Sequence, residues 1–269
     1  MRIGWMSTGR DQAACNLLAD VVARARRDGV SLDIAAAFCD RDIGEAPESD
    51  AFLSLAGGLG IRTITLSSAA SWHAAKTTGV SREVWRDAYH EQVTELLRPL
   101  GLSVLVMAGY MLIASADMCR EHALLNLHPA LPGGPTGTWQ EVIWELLDRE
   151  ATETGAMMHL ATEELDRGPV IAFFRFPITG GAWEPLWDQF RAKRSARGLT
   201  AIMAEEGERE PLFAEVRRWG EVREIPLLYQ TLCQFSSGKL RAEGDSVLAG
   251  AAHMPLDLTC LVEAEMVKQ

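Results

Sequence analysis

The chain has 269 residues, 48% of them apolar and 23% charged, enough apolar material for one large α/β domain or for one domain with an appendage. A formal net charge of -11 argues against a nucleic-acid groove, which needs a basic footprint, but leaves room for a small anionic substrate held by local donors. Five scattered cysteines without a CxxC pair (Cys15, Cys39, Cys119, Cys233, Cys260), no apolar leader and no apolar run near ~18 residues point to reduced thiols, no signal peptide, no membrane span and a cytoplasmic location.

RIGWM (2–6) reads as a first strand, and STGRD as a turn into a helix over 12–28 that Gly29 ends. SLDIAAAFC (31–39) is a buried second strand, DAFLSLAGGLG (50–60) a helix capped by glycine, and RTITL (62–66) a third strand. The next helix, over 81–101, carries an apolar stripe at Val84, Ala88, Val93, Leu96 and Leu97, with Ser81 as its cap. SVLVMAGY (103–110) is the continuous apolar run of a central strand buried on both faces. The alternation up to residue 110 predicts a mostly parallel sheet with helices on both faces, and places ligands at the carboxyl ends of the strands.

Beyond it come a strand ALLNLH (123–128), a helix TWQEVIWELLDRE (138–150), a strand GAMMHLAT (155–162), a turn EELDRGP (163–169) and a strand VIAFFRFPI (170–178). From about residue 184 the chain reads as mainly helical and charged. EPLWDQFRA (184–192) and EPLFAEVRR (210–218) look alike but are too short to make a repeat architecture. KLRAEGDSVLAG (239–250) suits a small hairpin broken at Gly244–Asp245.

Asn126 and His128 stand two residues apart and so share a strand face, and Pro129 stops the ladder just after them. An amide can donate to a developing oxyanion while an imidazole moves a proton, but a satisfied structural pair fits the same pattern. Asp166 is open in the same way. It is either an acidic turn residue bonding nearby N–H groups or a carboxylate that orients His128. The glycine turn after strand one is a potential anion site at a helix start, but neither G-x-G-x-x-G nor G-x-x-x-x-G-K-[ST] is present. His73, His90, His122 and His253 show no metal-ligand spacing and read as surface or structural groups, so no metal is expected.

Taken together, VMAGYMLI (106–113), NLHPALP (126–132) and GAMMHLATEELDRGPVI (155–171) resemble, in order and spacing, the folate-dependent formyltransferases. Within that family the likeness is strongest to members that formylate glycinamide ribonucleotide in purine synthesis, and it covers roughly residues 1–180 and a helix near 219–240. The resemblance implies a Rossmann-like formyltransferase fold in one domain: a core over 1–183, a helical insertion at about 190–210, and a C-terminal helix and short hairpin over 211–269. It implies transfer of a formyl group from 10-formyltetrahydrofolate, as co-substrate, to glycinamide ribonucleotide or a related amine. Asn126 would stabilise the oxyanion, His128 would transfer the proton, and Asp166 would fix His128 and an ordered water. The folate would lie against Arg82, Gly109, Tyr110, Met111, Ile113, His159, Thr162 and Glu163. The acceptor would meet Ser7, Thr8, Gly9, Arg10 and Glu224. The implied partners are these small molecules, with no nucleic acid and no membrane, and a homodimer is compatible with the family pattern.

The departures concern the acceptor. The family's first loop resembles G-N-G-S-N, whereas this chain has GRDQA, and Glu221 stands where the family pattern has a lysine three residues before Glu224. The loop HPALPGGPTGTW after His128 is shorter than usual. The basic run from Arg191 to Arg197 could replace the missing phosphate contacts or be a solvated helix face. Two other readings remain. One is hydrolysis of 10-formyltetrahydrofolate, ranked lower because such hydrolases usually carry an extra N-terminal regulatory domain and strand one here opens the chain. The other is a non-catalytic folate- or nucleotide-binding module, which would have no need of the His–Asp pair.

Overall fold

A computed structural model describes residues 1–243, 246–250 and 253–267. Its centre is an eight-stranded sheet built from β1 (Arg2–Ser7), β2 (Asp33–Cys39), β3 (Arg62–Thr65), β4 (Val104–Met107), β5 (Leu124–His128), β6 (Glu153–Leu160), β7 (Val170–Pro177) and, at one edge, β10 (Leu256–Asp257). The order is β10-β7-β6-β5-β4-β1-β2-β3, and only the β5–β6 and β6–β7 pairings are antiparallel. A second ribbon pairs β8 (Leu240–Glu243) with β9 (Ser246–Ala249), as the tail pattern predicts, while Gly244–Asp245 themselves lie outside the described residues.

Alternation along the strands divides the core in two. Ile3, Trp5, Val104, Val106 and Leu125 face one side, against α1 (Gln12–Asp28), α2 (Pro47–Gly58), α6 (Trp139–Asp148) and α9 (Pro211–Ser236). Met6, Phe38, Leu105, Met107 and Leu124 face the other, against α4 (Arg82–Leu97) and α5 (Ala116–Glu121). Both faces are therefore covered, as the apolar run of β4 requires. The chain thus has an α/β, mostly parallel, Rossmann-like fold, with β6 as the one reversed strand of this sheet. β1 and β4 are neighbours although β2 and β3 intervene in sequence, so the topology switches between them, and the loops following these two strands border the crevice where such folds hold ligands.

Several elements differ in detail from the sequence pattern. In α4, Val84 is 59% and Leu96 42% exposed, and the buried ridge is instead Trp85, Tyr89, Val93 and Leu97. That ridge has a strict i, i+4 spacing and carries the larger rings, so burying it removes more apolar surface from water. Ser81 does cap this helix, accepting from the Val84 N–H. α2 starts at Pro47, and its C-cap is Leu59, with Gly60 following at a φ of 81°. A helix α3 (Ser68–Lys76) and the short α5 were not evident from periodicity.

In the 190–210 region, α7 (Glu184–Arg197) and α8 (Leu199–Glu205) pack through Trp187, Phe190 and Ile202, all fully buried. The basic run there is consumed by ion pairs: Arg191–Glu150, Lys193 with Glu206 and Glu210, Arg194–Asp148, and Arg197 with Glu205 and Glu206. These arginines hold the helices to each other and to the end of α6, as the solvated-face reading expects. The C-terminal α10 (Thr259–Val267) is clamped to α1 by Glu265, fully buried, at 2.6 Å from Arg24 and 2.7 Å from Arg27.

Candidate active site

β5 ends at Pro129, so Asn126 and His128 project from its last turn of pleat on the same face. The neighbouring β6 runs antiparallel and sets His159 directly opposite Asn126. The turn after β6 then returns to the sheet. Asp166 adopts a φ of 55°, and Leu160 donates its N–H to the Pro169 carbonyl at 2.9 Å. That return requires Gly168, because a Cβ there would lie 1.8 Å from the Leu160 carbonyl oxygen. The carboxylate of Asp166 thereby reaches both rings, with Oδ2 3.5 Å from His128 Nδ1 and Oδ1 3.7 Å from His159 Nε2.

The hydrogen bonds fix the tautomers. His159 Nδ1 lies 2.9 Å from the Leu160 carbonyl, which can only accept, so Nδ1 carries the proton and Nε2 a lone pair. Asn126 Nδ2 donates to that lone pair at 3.1 Å, which fixes the amide with its nitrogen toward the ring. His159 is 1% exposed, and burial holds its pKa below the ordinary 6.5, so it stays neutral and keeps accepting. His128 Nε2 lies 2.8 Å from the Pro135 carbonyl, again an obligate acceptor. The proton of His128 therefore sits on Nε2, and Nδ1 faces Asp166, where an arriving proton would rest between ring and carboxylate. Asp166 is itself anchored by the Gly137 N–H at 3.1 Å. The short loop after His128 thus folds back over the imidazole and touches both members of the His–Asp pair.

The other predicted residues fall into distinct places. Gly109, at a φ of 74°, accepts from the Thr8 N–H at 2.9 Å, and the Met111 N–H donates to Thr8 Oγ1 at 3.0 Å, so the loops after β1 and β4 are sewn together at the switch point. Tyr110 is buried, its hydroxyl 3.1 Å from His90 Nε2, and His90 Nδ1 accepts the Ser115 N–H at 3.2 Å. Met111 and Ile113 are 52% and 47% exposed, as is Leu165 at 54% in the 161–166 loop that the family resemblance also assigns to the folate. Thr162 bonds the Glu164 carbonyl, and Glu163 pairs with Arg120 on the surface.

Arg82 opens α4. Its guanidinium stacks on Trp72, 4.2 Å from the ring centroid. Two backbone donors of the first loop are already engaged, the Gly9 N–H on Ser7 Oγ at 3.1 Å and the Thr8 N–H on the Gly109 carbonyl, while the Thr8 hydroxyl accepts from the Met111 N–H. Asp11 caps α1 by accepting from Ala14, so a carboxylate already occupies the helix start that an anion would need. Of the four loop residues, Arg10 alone keeps an exposed charge, its nearest carboxylate 3.9 Å away. Glu224 lines a separate narrow crevice with Pro129, Thr154 and Gly155, and it is paired to Arg217 at 2.6 Å.

The sequence model of the formyl transferase family matches residues 65–184. Phosphoribosylglycinamide formyltransferase of Escherichia coli (strain K12) is 33% identical over 102 residues, 36% of this chain and 45% of that protein. The Schizosaccharomyces pombe enzyme of the same name is 33% identical over 103 residues, 36% of this chain and 50% of that one. These matches therefore span about half the length of the curated relatives. In fold, glycinamide ribonucleotide transformylase 1 of Symbiobacterium toebii superposes with a TM-score of 0.60 at 21% identity, covering 93% of each chain. A formyltetrahydrofolate deformylase of Pseudomonas syringae pv. tomato gives the same TM-score of 0.60 at 19% identity, covering 92% of this chain and 65% of that one. The matched stretch contains Asn126, His128, His159 and Asp166 but neither the first loop nor Glu224. Residues 65–184 of this chain are thus similar in sequence to the formyl transferase family.

Proposed function

We propose that this protein transfers the formyl group of 10-formyltetrahydrofolate to an amine acceptor, with glycinamide ribonucleotide the first acceptor to test. The observation that carries this reading is the convergence of Asn126, His128 and Asp166 at the end of β5, with every ring nitrogen of the two histidines facing a defined partner. Formyl transfer forms a bond from the acceptor nitrogen to the formyl carbon and breaks the bond from that carbon to the folate nitrogen. Negative charge develops on the formyl oxygen, and one proton moves from the acceptor amine to the leaving nitrogen.

Asn126 suits the first demand. One Nδ2 hydrogen is held on His159, which fixes the amide, and the second is left to donate to the oxyanion. His128 suits the second, since Nδ1 can take the proton against Asp166 while Nε2–H can give one up. For that donation the Nε2–H must leave the Pro135 carbonyl, so movement of the 131–137 loop is part of the cycle in this reading. The exposed apolar side chains Met111, Ile113 and Leu165 suit the flat apolar body of a folate, with backbone groups of the 109–113 loop at its polar edge.

Hydrolysis of the same donor is the second reading, favoured by the deformylase neighbour's equal TM-score and by the pairing of Glu224 with Arg217. The test is turnover of 10-formyltetrahydrofolate followed at the folate chromophore. Turnover that requires glycinamide ribonucleotide supports transfer to that acceptor, and equal turnover without it supports hydrolysis. No turnover in either case, or an unchanged rate in His128→Ala, rejects the site.

A further inference from the structure

The loop after β4 shows Met111 and Ile113 to solvent, while Tyr110, Ala114 and Ser115 on either side of them are buried. Apolar side chains turned toward water do not hold a segment in place, so its shape must be fixed from its ends. The fixing group is His90 of α4, which is fully buried. The Ser115 N–H donates to His90 Nδ1 at 3.2 Å, so that nitrogen carries the lone pair and the proton sits on Nε2. Nε2–H in turn donates to the Tyr110 hydroxyl at 3.1 Å. Tyr110 packs edge-on against Phe38 of β2, with ring centroids 6.3 Å apart, and Ser115 caps α5 by accepting from the Met118 N–H. One rigid ring therefore ties both ends of the 110–115 segment. The arrangement needs the neutral imidazole, because a protonated ring would turn a second donor toward the Ser115 N–H. Burial and the Arg86 charge hold it neutral.

We infer that His90 is a positioning residue for the folate donor, acting through Tyr110 and Ser115 to hold the 111–114 segment in the shape that receives it. The inference rests on the reading above, which lays the folate against Met111 and Ile113. A segment tied at both ends is ordered before its ligand arrives. Released from its ties, it must be ordered by the ligand itself, and that ordering is subtracted from the affinity. His90 acts on the loop and not on the formyl group, so its loss is expected in donor binding and not in the chemical step.

The test compares wild type, His90→Phe and His90→Asn by amide hydrogen exchange, thermal melts, and titration with 5-formyltetrahydrofolate, a stable isomer of the donor. Phe keeps a ring and loses both hydrogen bonds, whereas Asn sets its Oδ1 near the position of Nδ1 and can keep the Ser115 bond. In His90→Phe the Ser115 amide should exchange about tenfold faster or more, and folate affinity should fall by about tenfold, as expected for the loss of one or two hydrogen bonds that order the loop. In turnover, KM for 10-formyltetrahydrofolate should rise by about the same factor with kcat within about twofold. His90→Asn should restore the Ser115 protection and part of the affinity. Across the three proteins, affinity should follow Ser115 protection and not melting temperature. The inference alone is overturned if wild type binds the folate and His90→Phe binds it equally well, if Ser115 protection is unchanged, or if affinity simply tracks melting temperature, which would mark His90 as a packing residue. Absence of folate binding by wild type overturns the formyl-transfer reading and the inference with it.

Discussion

The two halves of the sheet's carboxyl edge are built in opposite ways. At β5 and β6, Asn126, His128, His159 and Asp166 satisfy one another and the backbone around them. At β1 and β2, Asp40 keeps a buried oxygen without a partner, and the nearby arginines are loosely held. A group that moves protons must be oriented before the substrate arrives, because reorganisation at the moment of reaction raises the barrier. In the reading proposed above, the first half is the chemical one.

Substitutions can break this division or sharpen it. The largest effect is expected for His128→Ala, with turnover of 10-formyltetrahydrofolate falling by about 10²–10⁴, the usual worth of a general acid–base group. Steady-state rates check it, and a loss confined to KM would make His128 a binding group rather than a proton-transfer group. Asn126→Ala should cost about 10²–10³ in kcat, the range for a single oxyanion donor. His159→Ala should reproduce part of that loss by releasing the Asn126 amide.

A pH titration tests the scaffold between the halves. Burial, aided by the Arg86 charge, pushes the His90 imidazole down from 6.5 to about 4, so the folded chain keeps it neutral while the unfolded chain protonates it. Between those values the unfolded state binds more protons. The contribution is thus complete above pH 6.5 and is lost as pH falls toward 4, by roughly 3 kcal/mol. Denaturant melts of wild type and His90→Gln over this window check it, and the variant should flatten the slope.

Gly137→Ala should destabilise by about 1–3 kcal/mol and lower kcat, because a φ of 104° strains any side chain and the Gly137 N–H anchors Asp166. Thermal melts and rates read the two effects separately. The smallest effect is expected for Arg191→Ala, below about 1 kcal/mol, since its ion pairs with Glu150 and Asp188 are solvent-exposed. A strong effect on turnover there would return the α7 arginines to consideration as substrate contacts.

Much of the fold was legible in the chain. The alternation of strand and helix, the buried run of β4, the Ser81 cap and the Pro129 stop each depend on local chemistry, which a linear sequence carries in full. The triplet Asn126, His128 and Asp166 could be named because the motifs around them resemble a known family, whereas strand periodicity alone left a structural role equally open. The face of α4 was misjudged because two phases of the same helix are apolar, and the sheet settles which phase is buried. In the first loop the sequence shows the donors but not their partners, and the Gly9 and Thr8 N–H groups are spent on Ser7 and the β4 loop.

By itself, then, the sequence determined the main alternation of strands and helices, the mostly parallel sheet and the identity of the polar groups at the end of β5. Only the tertiary structure decided which nitrogen of each histidine carries its proton, that Pro135 and Gly137 close over the His–Asp pair, and that Asp40 is buried with one oxygen unpaired. The physical reason is the same in each case. Hydrogen bonding and burial are relations between residues far apart in the chain, and they exist only once the sheet brings those residues together.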